Sequence, residues 1–339
     1  MKITSKVYQL PLKHAFGISR STHSVQKTLI VRLESDGYVG YGEAVEDPYY
    51  GVTVGGMQTE IENLKSFFNS YLFTTPEVLW TELFESHTSN RFLLCAIDIA
   101  AHDLYGKKAG MPLYKLWDLN TENLPMTNFT IGIDSIDVMK SKLKEMPWPL
   151  YKVKLGTKHD IEIVTELRKI TDAKFRVDAN TGWSVGTTIK NSFRLKELGV
   201  EFIEQPLPAD KWDLMEEVFS NASLPLIADE ACRTQEDVEK CVGRFHGINV
   251  KLVKAGGITP GKEMIAKAKS FGLKTMVGCM TESSIGIAAI GQLLPYLDYV
   301  DMDGALLLKE DIASGHSIEF GKVTLSENPG TGAVIFSDF

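Results

Sequence analysis

The apolar positions of this chain change their period twice. From Lys2 to Leu10 polar and apolar residues alternate, Thr28-Leu-Ile-Val-Arg-Leu33 is β-rich, and Tyr38-Val-Gly-Tyr41 follows a Ser35-Asp-Gly37 turn. A period of two predicts antiparallel strands, and the turn makes the last two a hairpin. A polar stretch, His14 to Lys27, separates the first two strands and reads as a loop. A second loop, Glu46 to Gly56, is rich in Gly and Tyr. From Thr59 to about Leu119 the pattern turns helical, with Phe92, Leu93, Ala96, Ile97, Ala100 and Leu104 on one apolar face.

After Pro125, short β-branched runs alternate with amphipathic stretches. The runs are Phe129–Ile133, Tyr151–Leu155, Lys174–Val177, Glu201–Ile203, Leu226–Ala228, Ile248–Leu252, Lys274–Val277 and Tyr299–Met302, and their starts advance by 22 to 27 residues. Steady spacing of this kind is a repeating βα unit, which makes a parallel sheet. Eight such units close most naturally into a (β/α)8-type barrel, with an open doubly wound sheet as the competitor. The tail from Gly321 to Phe339 has strand-like patches and no helical pattern, and is expected to return to the N-terminal sheet.

At 339 residues the chain is long enough for two domains, or for one large barrel with an appendage. With 44% hydrophobic and 24% charged residues, it has the composition of an ordinary globular protein. The formal charge of −8 argues against nucleic acid or an anionic membrane surface as partner, since both reward a basic face. It does not exclude an anionic small molecule. Met1 to Ala15 lacks a continuous apolar run, so no signal peptide is expected. Phe92 to Ala101 is interrupted by Asp98 and too short for a membrane span. The cytoplasm is therefore the expected location. Cys95, Cys232, Cys241 and Cys279 form no C-x-x-C pair and are expected to be buried and reduced.

Parallel barrels place their chemistry at the C-terminal ends of the strands. The second barrel strand ends Tyr151-Lys152-Val153-Lys154-Leu155, so both lysines share a face. The next three end with Asp178, Glu204 and Asp229. Any one of these could cap a helix; three in series at equivalent positions look like a metal cage. Oxygen ligands without His or Cys favour a hard cation, Mg²⁺ or Mn²⁺. The sixth strand holds Lys251, with Lys254 in the Gly-rich turn beyond it, and the eighth ends Asp301-Met-Asp303.

Taken in order, Lys152-Val-Lys154, Val177-Asp-Ala-Asn180, Ile203-Glu-Gln-Pro206, Ala228-Asp-Glu230, Ile248 to Ile258 and Asp301-Met-Asp303 resemble the enolase superfamily. Within it they are most similar to the muconate-lactonizing subgroup and its dipeptide epimerase family, whose type is L-Ala-D/L-Glu epimerase. The likeness extends to Gly40-Tyr-Gly-Glu43 and Ala96-Ile-Asp98. It implies a (β/α)7β TIM-like barrel over 125–319. It also implies an N-terminal α+β capping domain, 1–120, completed by 320–339. One Mg²⁺ per subunit, or Mn²⁺ in its place, would be held by Asp178, Glu204 and Asp229, backed by Asn180 and Glu230. Family members hold a substrate ammonium with the pair matching Asp301 and Asp303. A homo-oligomer acting on a small dipeptide is implied.

Epimerisation needs one base on each face of the α-carbon, and Lys154 and Lys251 fit that need. Mg²⁺ and neighbouring lysines are expected to lower their pKa values. Lys152 is expected to add positive charge, with Thr130, Cys279, Met280 and Thr281 lining the dipeptide. Epimerases that take Ala-Glu carry a Lys where Ser284 stands here, and Arg20 is one position out of register to replace it. The expected substrate is an L-Ala-Xaa-type dipeptide with an uncharged, hydrophobic second residue. The alternatives are L-Ala-D/L-Glu epimerase proper, or a cycloisomerase or o-succinylbenzoate synthase on the same cage. From other classes come a Schiff-base lyase and a non-catalytic binding barrel. Gly256-Gly-Ile-Thr-Pro-Gly-Lys262 matches a phosphate-loop pattern. Glu263 replaces the required Ser or Thr, and Pro260 removes an N–H, so a βα turn is the better reading. His102-Asp103 is expected to be structural, while His14 and His23 fall in the first loop.

Overall fold

The structure is a computed structural model and describes residues 1–19 and 21–336. β1 (Lys2–Ile18), β2 (Ser21–Ser35) and β3 (Tyr38–Val45) form an antiparallel sheet. The expected loop between the first two strands is instead the far end of one long hairpin. Phe16 pairs with His23, Gly17 with Thr22 and Ile18 with Ser21, beyond a register irregularity between Pro11 and Phe16. A two-stranded ribbon that projects beyond its sheet does not bury one whole face, so it shows little of the alternation that betrays a strand. Arg20 lies outside the described residues.

α1 (Val54–Ser70) starts inside the second expected loop, where the Thr53 side chain accepts from Gly56 N–H as an N-cap. α2 (Pro76–Ser86), α3 (Arg91–Ala109) and α4 (Leu113–Leu116) follow. All six residues of the predicted apolar face are buried in α3. The helix packs so closely on β3 that a Cβ at Gly42 would stand 2.0 Å from the Ala96 carbonyl oxygen, and one at Gly40 2.1 Å from that of Ala100. The glycines of Gly40-Tyr-Gly-Glu43 are therefore there for contact distance. Gly42→Ala is expected to destabilise by about 1–3 kcal/mol or more, because backbone cannot yield as a side chain can. Urea unfolding checks this, and an unchanged midpoint refutes it.

Eight parallel strands follow: β4 (Phe129–Ile131), β5 (Leu150–Lys154), β6 (Lys174–Asp178), β7 (Val200–Glu204), β8 (Leu226–Ala228), β9 (Gly247–Lys251), β10 (Lys274–Gly278) and β11 (Tyr299–Asp301). Their neighbours run in sequence order, and a parallel bridge from Thr127 to Val300 joins the first strand region to the last. Sequential order with closure makes a barrel and excludes the doubly wound sheet. The connecting helices are α5 (Ile136–Glu145), α6 (Asp160–Arg168), α7 (Val185–Glu197), α8 (Trp212–Asn221), α9 (Gln235–Lys240), the pair α10 (Leu252–Ala255) and α11 (Ile258–Ser270), and α12 (Ser284–Gly291). The expected strand positions agree with this closely. No described helix is long and apolar enough to cross a membrane.

After β11 the chain forms β12 (Ala313–Ser314), β13 (Ser317–Glu319), β14 (Lys322–Thr324) and β15 (Val334–Ile335). Gly321 meets Thr127 at the base of the barrel. Further on, Leu113 N–H donates to Gly330 O, and Thr331 N–H to Asp103 Oδ1 on α3.

The turn after β9 is clamped from the N-terminal region. Arg91 donates to Ala255 O and Trp80 to Gly256 O, both at 2.8 Å. Asp98 of α3 accepts from the Thr259 N–H at 2.9 Å and from its hydroxyl at 2.7 Å. The N-terminus of α11 is thus already occupied by the Asp98 carboxyl, which burial raises to about 7, where a phosphate loop would hold phosphate. A Cβ at Gly257, whose φ is 126°, would come within 2.3 Å of that carboxylate. The four cysteines are free and buried.

Candidate active site

Asp178, Glu204 and Asp229 end adjacent strands and bring carboxylate oxygens within 4.8 Å of one another, at 0–1% exposure. Cross-strand register explains this: Lys154 pairs with Asp178 on β6, and Asp178 with Glu204 on β7. Burial raises the Glu204 carboxyl to about 7, helped by the Asp178 charge. Against the same burial, Lys154 and Lys152 hold Asp178 below the usual carboxylate range, and Lys251 and Lys254 hold Asp229 well below it. Glu204 Oε2 and Asp229 Oδ2 face lysines at 2.8 and 2.9 Å, yet neither accepts a hydrogen bond. Three buried carboxyl groups with oxygen lone pairs to spare and no softer donor fit a hard divalent cation.

The loops that follow these strands are strained in a way that serves the cage. Asn180, Thr181 and Gln205 have φ of 41°, 67° and 34°, a region that non-glycine residues rarely enter. Thr181 N–H donates to Gln205 O, and Asn180 N–H folds back onto Asp178 Oδ1 at 2.8 Å. The Gln205 side chain accepts from the N–H groups of both Asp229 and Ala231. It thereby ties the end of β7 to that of β8. Asn249 donates to Glu204 Oε1 at 2.8 Å. Neither Gln205 nor Asn249 is among the expected site residues, although both lie inside the family-like motifs.

The four lysines separate by depth. Lys152 lies deep in the barrel, within 3.2 Å of Asp178 and 2.8 Å of both Glu204 and Asp301, and does not line the open cavity. Lys154 and Lys251 do line it, paired with Asp178 at 2.6 Å and Asp229 at 2.9 Å. Lys254 is turned behind the cage onto Asp229 Oδ1 and the Asp229 and Cys232 carbonyls. Of the two lysines weighed as the second base, Lys251 lines the cavity and Lys254 does not. The protein groups around Lys251 act on its pKa in opposite directions. Burial alone would lower it, but the Asp229 charge outweighs burial and raises it.

Across the cavity, Asp301 accepts from Asn128 at 2.7 Å and from Lys152 at 2.8 Å. Asp303 accepts from the Thr130 N–H at 2.5 Å and from its hydroxyl at 3.2 Å. Burial and the Asp301 charge push Asp303 well above its ordinary pKa, while Lys152 holds Asp301 below its own against burial. Cys279 lies close to both, but burial pushes its thiol up, so it offers no thiolate.

The cavity measures about 590 Å³. Its floor is the barrel mouth, including Thr130, Asn180, Glu230 and Cys279 to Thr281; its roof is the β1–β2 hairpin and the turn at 46–50. Ser284, which stands where Ala-Glu epimerases carry a Lys, is held by Asp311 and lies outside the lining. Glu43, buried, accepts from Thr28, Ser283 and Gly286, and so fastens β3 to the start of α12.

Two family models match the chain. One, described as mandelate racemase / muconate lactonizing enzyme, N-terminal domain, covers residues 2–117; the other, enolase C-terminal domain-like, covers 135–338. The chain belongs to the enolase superfamily. It is 56% identical over 335 residues to an L-Ala-D/L-amino acid epimerase of Flavobacterium johnsoniae, spanning 99% of this chain and 100% of that one. The solved L-Ala-D/L-Glu epimerase of Bacillus subtilis, with substrate bound, superposes with a TM-score of 0.93 at 26% identity, covering 98% and 99% of the two chains. A dipeptide epimerase of Cytophaga hutchinsonii, complexed with Mg and D-Ala-L-Val, gives 0.91 at 26% identity, covering 100% and 97%.

Proposed function

We propose that this protein is a Mg²⁺-dependent dipeptide epimerase that inverts the α-carbon of the second residue of an L-Ala-Xaa-type dipeptide. The observation that carries this reading is the placement of Lys154 and Lys251. They face one cavity from β5 and β9, on either side of the three-carboxylate cage. One lysine, neutral, takes the α-proton; the other, as an ammonium, returns a proton to the opposite face. Asp178, Glu204 and Asp229 would hold the cation, which supplies positive charge where the substrate carboxylate becomes more negative. Lys152 adds charge from below, and Asp301 with Asp303 receives the substrate ammonium. That acidic pair also disfavours cycloisomerase and o-succinylbenzoate chemistry, whose substrates lack an ammonium. In this reading residues 1–120 with 320–339 form the cap and 125–319 the catalytic barrel.

Proton NMR in D₂O with Mg²⁺ and a dipeptide set tests the reading, through α-proton exchange and appearance of the epimer. Exchange with no dipeptide defeats it. L-Ala-L-Val, L-Ala-L-Leu and L-Ala-L-Phe should be turned over about tenfold or more faster than L-Ala-L-Glu, since a charged group left without a partner costs about 1–3 kcal/mol or more. The roof offers one described lysine, Lys27, already paired with Glu46 at 3.5 Å, with Asp47 beside it. The D-Ala-L-Val complex of the Cytophaga enzyme supports an uncharged second residue. Strong preference for L-Ala-L-Glu overturns that part of the proposal.

A further inference from the structure

Among the described residues of the hairpin roof, the His23 ring carries a buried polar atom with no hydrogen-bond partner. Phe16 pairs with His23 across β1 and β2, so both side chains lie on one face, and Ile18, Ser21 and Val25 share it. All five line the cavity. The His23 ring packs edge-on to Phe16 at 5.9 Å, yet its Nε2 is fully buried and makes no hydrogen bond. A buried ring nitrogen left unsatisfied costs about 1–3 kcal/mol, so such an atom beside a cavity marks a place where something else bonds to it. Burial also lowers the His23 pKa, with Asp47 opposing, which favours the uncharged ring with one donor and one acceptor nitrogen.

The position relative to the reaction follows from the proposed function, on which this inference rests. While the α-proton is absent, the three remaining substituents of the carbon lie in one plane. The lysines occupy the two faces of that plane. The carboxylate points to the cage on β6–β8, and the amide leads to Asp301 and Asp303 on the β11 side. The side chain of the second residue has the remaining direction, out of the barrel mouth and against the hairpin. Phe16, Ile18 and Val25 give it an apolar wall, and His23 gives that wall a buried, unpartnered ring nitrogen.

We infer that His23 determines specificity for the second residue. Its Nε2 forms a hydrogen bond with a hydroxyl or carboxamide on that side chain, so neutral polar residues are accepted beside aliphatic ones. The test uses near-isosteric pairs: L-Ala-L-Thr against L-Ala-L-Val, and L-Ala-L-Gln against L-Ala-L-Met. The polar-to-apolar ratio of kcat/KM should fall by about 3- to 10-fold in His23→Leu, the size of one neutral hydrogen bond. His23→Gln, which keeps a donor and an acceptor, should recover much of it. An unchanged ratio in His23→Leu, including one in which both members of each pair fall together, overturns the inference. A wild-type protein inert towards all four dipeptides defeats the functional reading, and this inference with it.

Discussion

Lys154→Ala and Lys251→Ala are each expected to abolish epimerisation, lowering kcat/KM by roughly 10²–10⁴-fold, the range for a lost general acid or base. The two losses should differ in kind. With one lysine gone, the other still reaches one face of the α-carbon. Each variant should therefore exchange deuterium into one epimer of the dipeptide and not the other, with no net inversion, and the two variants should choose opposite epimers. The ion-pair arrangement keeps this test clean. Without Lys154, Asp178 still has Lys152 at 3.2 Å; without Lys251, Asp229 still has Lys254 at 2.5 Å. Neither substitution strands a buried carboxylate, which is the usual way a site mutant loses its fold. Thermal melts should stay close to wild type. Full epimerase activity in either variant refutes the two-base assignment.

The barrel was legible because its evidence is local. Each βα unit announces itself by a short β-branched run, and a strand places i and i+2 on one face. Charged residues at successive strand ends thus had to converge at one mouth. The same locality explains what stayed hidden. Asp98 reads as a polar break in an apolar helix face, because its partner Thr259 is 161 residues away. Glu43 likewise meets Ser283 across 240 residues. A hydrophobic pattern tells which face of an element is buried, but not what lies against it. Lys152 and Lys154 look equivalent in sequence, and only barrel depth separates a lysine locked among Asp178, Glu204 and Asp301 from one that opens on the cavity. The hairpin escaped for the opposite reason. With little of it buried at its far end, residues 14–27 kept no alternation to read, and the buried nitrogen of His23 appears only once Phe16 is set beside it.

Removal of the metal should have the other large effect. EDTA is expected to take epimerase activity to background, with Mg²⁺ restoring it. A Schiff-base lyase would keep its activity through chelation and yield a lysine adduct to borohydride instead. The physical ground is the cage itself: three carboxylates within 4.8 Å, almost wholly buried, with lysines as their counter-ions. Two of those lysines, Lys154 and Lys251, are the proposed acid and base. While they serve as counter-ions to Asp178 and Asp229, the cage occupies the groups the reaction needs. A bound cation takes over that duty. Glu204→Gln separates this account from a general loss of structure. Lys152 keeps Asp178 and Asp301 as partners, and the new amide oxygen can still accept from Asn249. The variant should therefore fold, while losing one ligand charge and roughly 10²–10³-fold in kcat, the scale of one preorganised electrostatic contact. Binding should also be visible without turnover. Mg²⁺ at 100 times its Kd should stabilise the wild type by about 2.7 kcal/mol, seen as a raised Tm, and raise that of Glu204→Gln much less. Equal Mg²⁺ shifts in the two proteins, or full activity in EDTA, would remove Asp178, Glu204 and Asp229 as the metal site.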